Sequence, residues 1–302
     1  MNREPDGQLD AQSQADGVDL VIPSREQDLG GFTVRRSLPY RKRRTVGPYV
    51  FFDHMGPARM PAGQGIDVLP HPHIGLATVT YLFEGEILHR DSLGCVQPIT
   101  PGAVNLMTAG RGIVHSERTA PDLRQQDKTL HGIQLWLALP AALEECDPAF
   151  VHYPANAIPV ATGPDARVTV IIGEAFGAVS PVTVPSPTLY AELLFDGQGR
   201  VPVPENYAER AVYSVDGEIL VGGAQLSPGA MAVLQPGAAV SVQAAGPARA
   251  MLIGGAPLPE KRTIWWNFVS TSRERIEQAK RDWRDRRFEP VPGETEWTPL
   301  PD

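Results

Sequence analysis

Apolar residues along the chain come in short runs rather than at helical spacing. VGPYVFFD (46–53), ATVTYLFEG (77–85), AVNLM (103–107), GIQLWLALP (132–140) and VTVIIGEA (168–175) are the clearest. Each is bounded by Gly, Pro or Asp, and β-branched or aromatic residues recur within it, which is the signature of a strand between turns. Such signals begin near Val18. Many short strands with this punctuation predict an all-β sandwich or barrel rather than alternating β and α units.

One segment departs from the pattern. In TSRERIEQAKRDWRDRRF (271–288), Thr271 or Ser272 can act as N-cap with Glu274 following. Ile276, Ala279 and Trp283 then lie at helical spacing with charge on the other faces. A helix over 271–287 with so thin an apolar stripe is expected to pack on the outside of a barrel. The Pro-rich stretch after it, 291–302, reads as an extended tail. The polar first 17 residues read as a flexible tail without the basic start and apolar core of a signal peptide.

The chain also echoes itself. Tyr81-Leu82-Phe83-Glu84-Gly85-Glu86-Ile87-Leu88 resembles Tyr213-Ser214-Val215-Asp216-Gly217-Glu218-Ile219-Leu220, and each is followed by a Pro-Gly turn, 101–102 and 228–229, and another strand signal. The repeat predicts two related β-domains, 18–150 and 151–290, the second including the helix.

Composition agrees with this reading. The 302 residues include 30 Pro and 29 Gly, about a fifth of the chain against roughly 12% in average usage. With 42% hydrophobic residues the chain is not disordered. A balance of 27 basic and 35 acidic residues, net −8, argues against direct nucleic-acid binding. The basic run Arg41-Lys42-Arg43-Arg44 reads as a solvated loop. Two cysteines, Cys95 and Cys146, fit reduced thiols in a cytoplasmic protein rather than a disulfide framework. No apolar run is long enough for a membrane-spanning helix.

The candidate chemistry lies in the histidines, at 54, 71, 73, 89, 115, 131 and 152. In a strand, residues i and i+2 face the same way, so His71 and His73 can reach one point while Pro72 faces away. His115-Ser116-Glu117 repeats the arrangement with an imidazole and a carboxylate. On neighbouring strands the two pairs would present three nitrogens and one oxygen to a cation. That set suits a divalent transition metal, with Fe(II), Mn, Ni, Cu and Zn all compatible. Four ligands on an octahedral ion leave two positions for water, dioxygen or a substrate oxygen. His54, after a strand, is a candidate neighbour of the metal or a structural group. His89, in HRD, reads as a turn or surface residue, and His131 as barrel lining or core. Gly110 and Gly112 read as a tight turn delivering His115.

HPHIGLATVTYLFEGEILHRDSLG followed by PGAVNLMTAGRGIVHSE resembles the signature of the pirins, which are bicupins. VGPYVFFDHMGP, GIQLWLALP and the late IWWNFV with its helix match the same layout, so that the resemblance spans roughly residues 18 to 290. It implies two cupin barrels packed face to face, with one metal, usually iron, in the first. The family's ligand positions fall on His71, His73, His115 and Glu117. The expected cofactor is therefore Fe(II), with Mn, Ni, Co, Cu or Zn as alternatives. One position departs: where pirins commonly carry a glutamate after the second histidine, this chain has Ala77, which puts an outer contact or acid/base group in question.

The resemblance implies a dioxygenase acting on quercetin-like flavonols and dioxygen, Glu117 serving as ligand and proton acceptor. The alternatives are a non-enzymatic, iron-containing regulator that binds a protein partner, and a storage or structural protein with a vestigial site. Aligning the echo places His71 and His73 opposite Val203 and Glu205, and His115 and Glu117 opposite Val242 and Ala244. The second barrel is thus expected to hold no such site.

Overall fold

The computed structural model describes residues 16–28 and 32–301, so all but the last two residues of the expected tail 1–17 lie outside the described residues. The chain forms two β-barrels of the same design. In the first, a seven-stranded sheet runs in the order Ala149–Tyr153, Val104–Thr108, Leu76–Glu84, Lys128–Ala138, Tyr49–Met60, Thr33–Leu38, Arg25–Asp28. It lies against a four-stranded sheet ordered Asp67–His73, Ile113–Arg118, Ile87–Asp91, Val96–Ile99. The second barrel repeats this with a seven-stranded sheet and a four-stranded one ordered Gly199–Pro202, Ser241–Ala244, Ile219–Val221, Ala224–Leu226.

The two large sheets face each other. Tyr49, Phe52, Val79, Tyr81 and Leu135 of the first share one buried cluster with Tyr190, Tyr213, Val233, Met251 and Ile253 of the second. The internal echo is visible here. Leu76–Glu84 turns at Gly85 into Ile87–Asp91, as Glu209–Asp216 turns at Gly217 into Ile219–Val221, and both glycines have positive φ, 88° and 72°. Tyr81 and Tyr213 thereby occupy matching places on the two facing sheets.

Sequence order and barrel membership part company at both ends. Val18–Pro23, which opens the chain's first strand signal, pairs with Ala230–Leu234 and belongs to the second barrel's sheet. The helix, Arg273–Arg284, crosses the other way. Ser272 caps it, its Oγ accepting from the Arg275 amide at 3.2 Å. Its buried Ile276, Ala279 and Trp283 pack with Ile74, Val114 and Phe268, on the outer side of the first barrel's small sheet. Burying Ile276 and Trp283 there contributes about 1.5–3 kcal/mol each.

The segment after the helix is extended, as its prolines predict, but it is docked rather than loose. The Thr298 amide donates to the Pro70 carbonyl at 2.8 Å, and Trp283 Nε1 donates to the Thr298 carbonyl at 2.9 Å. Glu294 accepts from Ser116 Oγ at 2.7 Å and pairs with Arg118 at 2.6 Å. No helix among the described residues is long and apolar enough to cross a membrane.

Candidate metal centre

The HPH segment ends the strand Asp67–His73, antiparallel to Ile113–Arg118 with His115 opposite His71 and Ile113 opposite His73. Directly paired residues and i, i+2 neighbours share a face, so all three imidazoles point into the barrel. The register slips by one residue between His115 and Glu117, which pairs with Val68. The extra residue falls at Leu69-Pro70, where proline has no amide to give the ladder. The Leu69 backbone carbonyl is thereby available to His71, whose Nδ1–H donates to it at 2.8 Å.

That bond fixes the His71 tautomer and leaves its Nε2 lone pair facing inward. Ring centroids are 5.0 Å apart for His71–His73, 4.3 Å for His71–His115 and 5.0 Å for His73–His115, close to an equilateral triangle. Ligand-capable atoms of the three lie within 4.8 Å of one another, and the Nε2 atoms of His73 and His115 stand 3.1 Å apart. All three rings are buried. Burial holds His71 down to about 4, its bond to Leu69 opposing the shift only in part. Burial, reinforced by the neighbouring imidazoles, puts His73 and His115 well below the usual histidine range.

The three therefore stay neutral at ordinary pH, which is the form that binds metal. His73 is buried beside the Asn267 backbone, whose hydrogen bond opposes the lowering of its pKa only in part. Convergent, neutral, dehydrated nitrogens of this kind fit a borderline divalent transition ion far better than they fit one another.

Glu117 lines the same cavity, outside the 4.8 Å cluster. Its Oε1 lies 3.5 Å from Thr80 Oγ1, whose closer contact is Gln134 Oε1 at 2.7 Å. Burial pushes the Glu117 carboxyl up, against the opposing effects of His89, Thr80 and Gln134.

The cavity over the triad has a volume of about 690 Å³, within the ordinary range for small-molecule sites. One wall is a row of rings: His73 meets Trp136 edge-on at 5.1 Å, Trp136 stacks on Phe51 at 3.9 Å, and the Arg36 guanidinium sits 4.3 Å over Phe51. Arg36 is held by Asp53 through two 2.8 Å bonds. Ile264, Trp266 and Asn267 of the C-terminal segment complete the lining.

Other sequence candidates resolve differently. His54 and His131 are buried away from the triad at the contact between barrels, Nε2 to Nε2 at 2.8 Å, with His54 Nδ1 2.9 Å from Tyr213 Oη. His89 is not at a turn: it is buried in Ile87–Asp91, 3.0 Å from Asp91 Oδ2. Its sequence signal was the spacing itself, since His89-Arg90-Asp91 is a third i, i+2 pair beside His71/His73 and His115/Glu117. Ala77 belongs to the cluster between the barrels, on the opposite face of its strand from Thr80. A side chain at position 77 therefore packs toward the second barrel and not into the inner face of the site. Gly110 has φ +50°, and a Cβ there would overlap the Cys146 carbonyl oxygen, so the turn before His115 requires glycine.

In the second barrel Val242 lies opposite Val221 as Glu117 lies opposite His89, and Val221 and His89 each stand four residues past the turn glycines Gly217 and Gly85. The Val203 amide bonds to the Val240 carbonyl at 2.9 Å, which keeps Val203 as the counterpart of His71, as the echo has it, and moves the counterparts of His115 and Glu117 to Val240 and Val242. Glu205, opposite His73 in the echo, is exposed. Val201, Val203 and Val242 are all buried in that barrel's own core.

Comparison with known proteins agrees with this architecture. The Pirin family model matches residues 31–137, and the model of the Pirin C-terminal cupin domain matches 190–289. A pirin-like protein of Caulobacter vibrioides is 46% identical over 289 residues, covering 94% of this chain and all of that protein. A crystal structure titled quercetin 2,3-dioxygenase, from Acinetobacter baumannii, is 37% identical with a TM-score of 0.88, covering 94% of this chain and 95% of that one. The bacterial pirin YhhW of Escherichia coli, solved in complex with nickel(II), shares the fold at 17% identity and a TM-score of 0.62, over 79% of this chain and 99% of that one. Two cupin barrels matched in order, with the histidine triad confined to the first, make the chain a member of the pirin family.

Proposed function

We propose that the protein is a metal-dependent dioxygenase that opens flavonols such as quercetin. The observation that carries this reading is the convergence of three neutral imidazoles at a cavity walled by stacked aromatic rings. His71, His73 and His115 hold one divalent ion, Fe(II) first among the candidates, and Glu117 is the fourth ligand. When bound, such an ion polarises a substrate oxygen and provides a docking point for dioxygen.

The chain's own residues do the rest. Trp136 and Phe51 present a flat surface on which the fused rings of a flavonol can lie. Val34, Met55, Ile66 and Ile87 line the cavity with apolar surface and limit water around the reacting carbons. Glu117, steadied by Thr80 and Gln134, lines the cavity where it would accept the proton of the flavonol 3-hydroxyl. The Arg36–Asp53 pair offers both a donor and an acceptor to the hydroxyls at the other end of the ligand. The relationship to a structure titled quercetin 2,3-dioxygenase supports the same substrate class.

The test is to load the full chain separately with Fe(II), Mn(II), Ni(II), Co(II) and Cu(II) and follow the visible absorption of quercetin under air. Loss of absorption with at least one metal, abolished in His115→Ala, is expected. Absence of loss with all five refutes the flavonol reading, and turnover persisting in His115→Ala refutes the assigned site.

A further inference from the structure

We infer that His89 and Asp91 are positioning residues that set the tautomer and orientation of His115 as a metal ligand, an inference that rests on the metal reading above. The strand Ile87–Asp91 lies beside Ile113–Arg118 with Asp91 opposite His115 and His89 opposite Glu117. All four side chains consequently face the barrel interior. His115 Nδ1 stands 3.4 Å from His89 Nδ1, and His89 Nε2 stands 3.0 Å from Asp91 Oδ2. Asp91 Oδ1 accepts from the amides of Leu93 at 2.9 Å and Cys95 at 3.1 Å. His89, Asp91 and His115 are 4%, 0% and 1% exposed, so water does not compete for these groups.

The protons along this chain can be placed in order. The Asp91 carboxylate only accepts, so His89 Nε2 carries the hydrogen. With that hydrogen on Nε2, the His89 imidazole presents the Nδ1 lone pair, which accepts a hydrogen carried on His115 Nδ1. His115 is left with its lone pair on Nε2, the atom that faces His73 Nε2. The His89 ring is itself held in plane by stacking on Phe150, with centroids 4.3 Å apart and an angle of 18°.

The three ligands are thus supported in different ways. His71 relies on a backbone carbonyl, and His73 has only the Asn267 backbone beside it. His115 alone depends on side chains, two deep. Outer partners of this type raise ligand basicity, and their loss typically lowers metal affinity about 10–100-fold.

Two substitutions separate the lone pair from the ring. His89→Phe keeps an aromatic ring against Phe150 and removes the acceptor. His89→Asn removes the ring and keeps an oxygen near the position of Nδ1. The full chain is titrated with Ni(II) against a chromophoric chelator, and the visible ligand-field bands are recorded with Co(II). The expected result is a Ni(II) affinity about 10–100-fold weaker in His89→Phe with shifted Co(II) bands, and substantial recovery of both in His89→Asn. If His89→Phe binds Ni(II) like the parent protein with superimposable Co(II) bands, the inference is overturned. It is equally overturned if the phenylalanine variant retains affinity while the asparagine variant loses it, since the ring's packing is then what matters. Should one variant fail to fold, the other still decides through its own affinity and spectrum. A parent protein that binds neither ion overturns the metal reading itself, an outcome distinct from the variant results.

Discussion

His54 allows a pH prediction whose size follows from its surroundings. It is fully buried where the two barrels meet, between Tyr213 of the second and His131 of the first, with the Arg35 guanidinium 3.5 Å from Nε2. Burial first, then the charge of Arg35, pulls its pKa down to about 2. Arg249 adds to this, while His131 is itself held low by burial. In the unfolded chain the same imidazole titrates near 6.5. Above that pH neither state binds the proton, and folding is indifferent to it. Below it the unfolded chain takes up a proton that the folded chain refuses. Stability is therefore present above pH 6.5 and lost as pH falls, by about 1.4 kcal/mol per unit until the folded pKa is reached. From pH 7.5 to 5.0 the loss assigned to His54 is about 2 kcal/mol. The assay is the urea midpoint of the metal-free full chain at the two pH values, for the parent protein and for His54→Gln, which retains a hydrogen-bonding group for Tyr213. The buried triad adds its own acid sensitivity, but it contributes to both proteins and cancels in the difference. The parent should lose about 2 kcal/mol more than the variant. Equal losses would show that His54 carries its proton in the folded state, and would refute the argument from burial.

Three further outcomes are expected. His71→Ala removes one of three converging nitrogens, and elemental analysis after gel filtration should find metal at or below about a tenth of the parent stoichiometry. Trp136→Ala opens the aromatic wall and should raise the quercetin KM by up to about tenfold, whereas an unchanged KM would place the substrate elsewhere. Ala77→Glu puts a carboxylate into the packed contact between barrels and should cost several kcal/mol, roughly 2–7, in the urea midpoint while leaving Ni(II) affinity alone. A gain in metal affinity would mean that position 77 reaches the inner face.

The fold and the triad were legible in the sequence because both depend on local spacing. Gly- and Pro-bounded runs define strands, and the two-residue period puts His71 and His73 on one face whatever the register. The return of Tyr-x-x-acid-Gly correctly indicated a second barrel of the same design. What remained hidden depends on non-local pairing. Nothing near Val18 says that its strand will join Ala230–Leu234, and nothing in the helix says that its stripe will meet Ile74 and Val114 rather than the barrel that precedes it. The match of His115 to Val240 rather than Val242 turns on pairing with the neighbouring strand, which an alignment carried forward from the Pro-Gly turn cannot count. His89 was misplaced for a different reason. HRD looks like a turn in isolation, and only the adjacency of three strands in the small sheet brings its ring beside His115.

The matched barrels isolate what the histidines do. Both small sheets have the same strand order, and on the two corresponding strands one carries His71, His73 and His115 inward while the other buries Val201, Val203 and Val242 in its own core. The fold is evidently satisfied by valines, which lose little on burial and gain apolar contact. Imidazoles on the same strands must give up water on burial, and their inward nitrogens meet only one another. The first barrel also keeps a cavity of about 690 Å³ above them, where the second barrel is packed with its own core. Both features are accounted for by ligands: a cation for the inward nitrogens and a flat organic molecule for the cavity. Binding of either should raise the stability of the folded chain by linkage. The metal should act in the first barrel alone, because the chain has no histidine after His152 to offer it in the second.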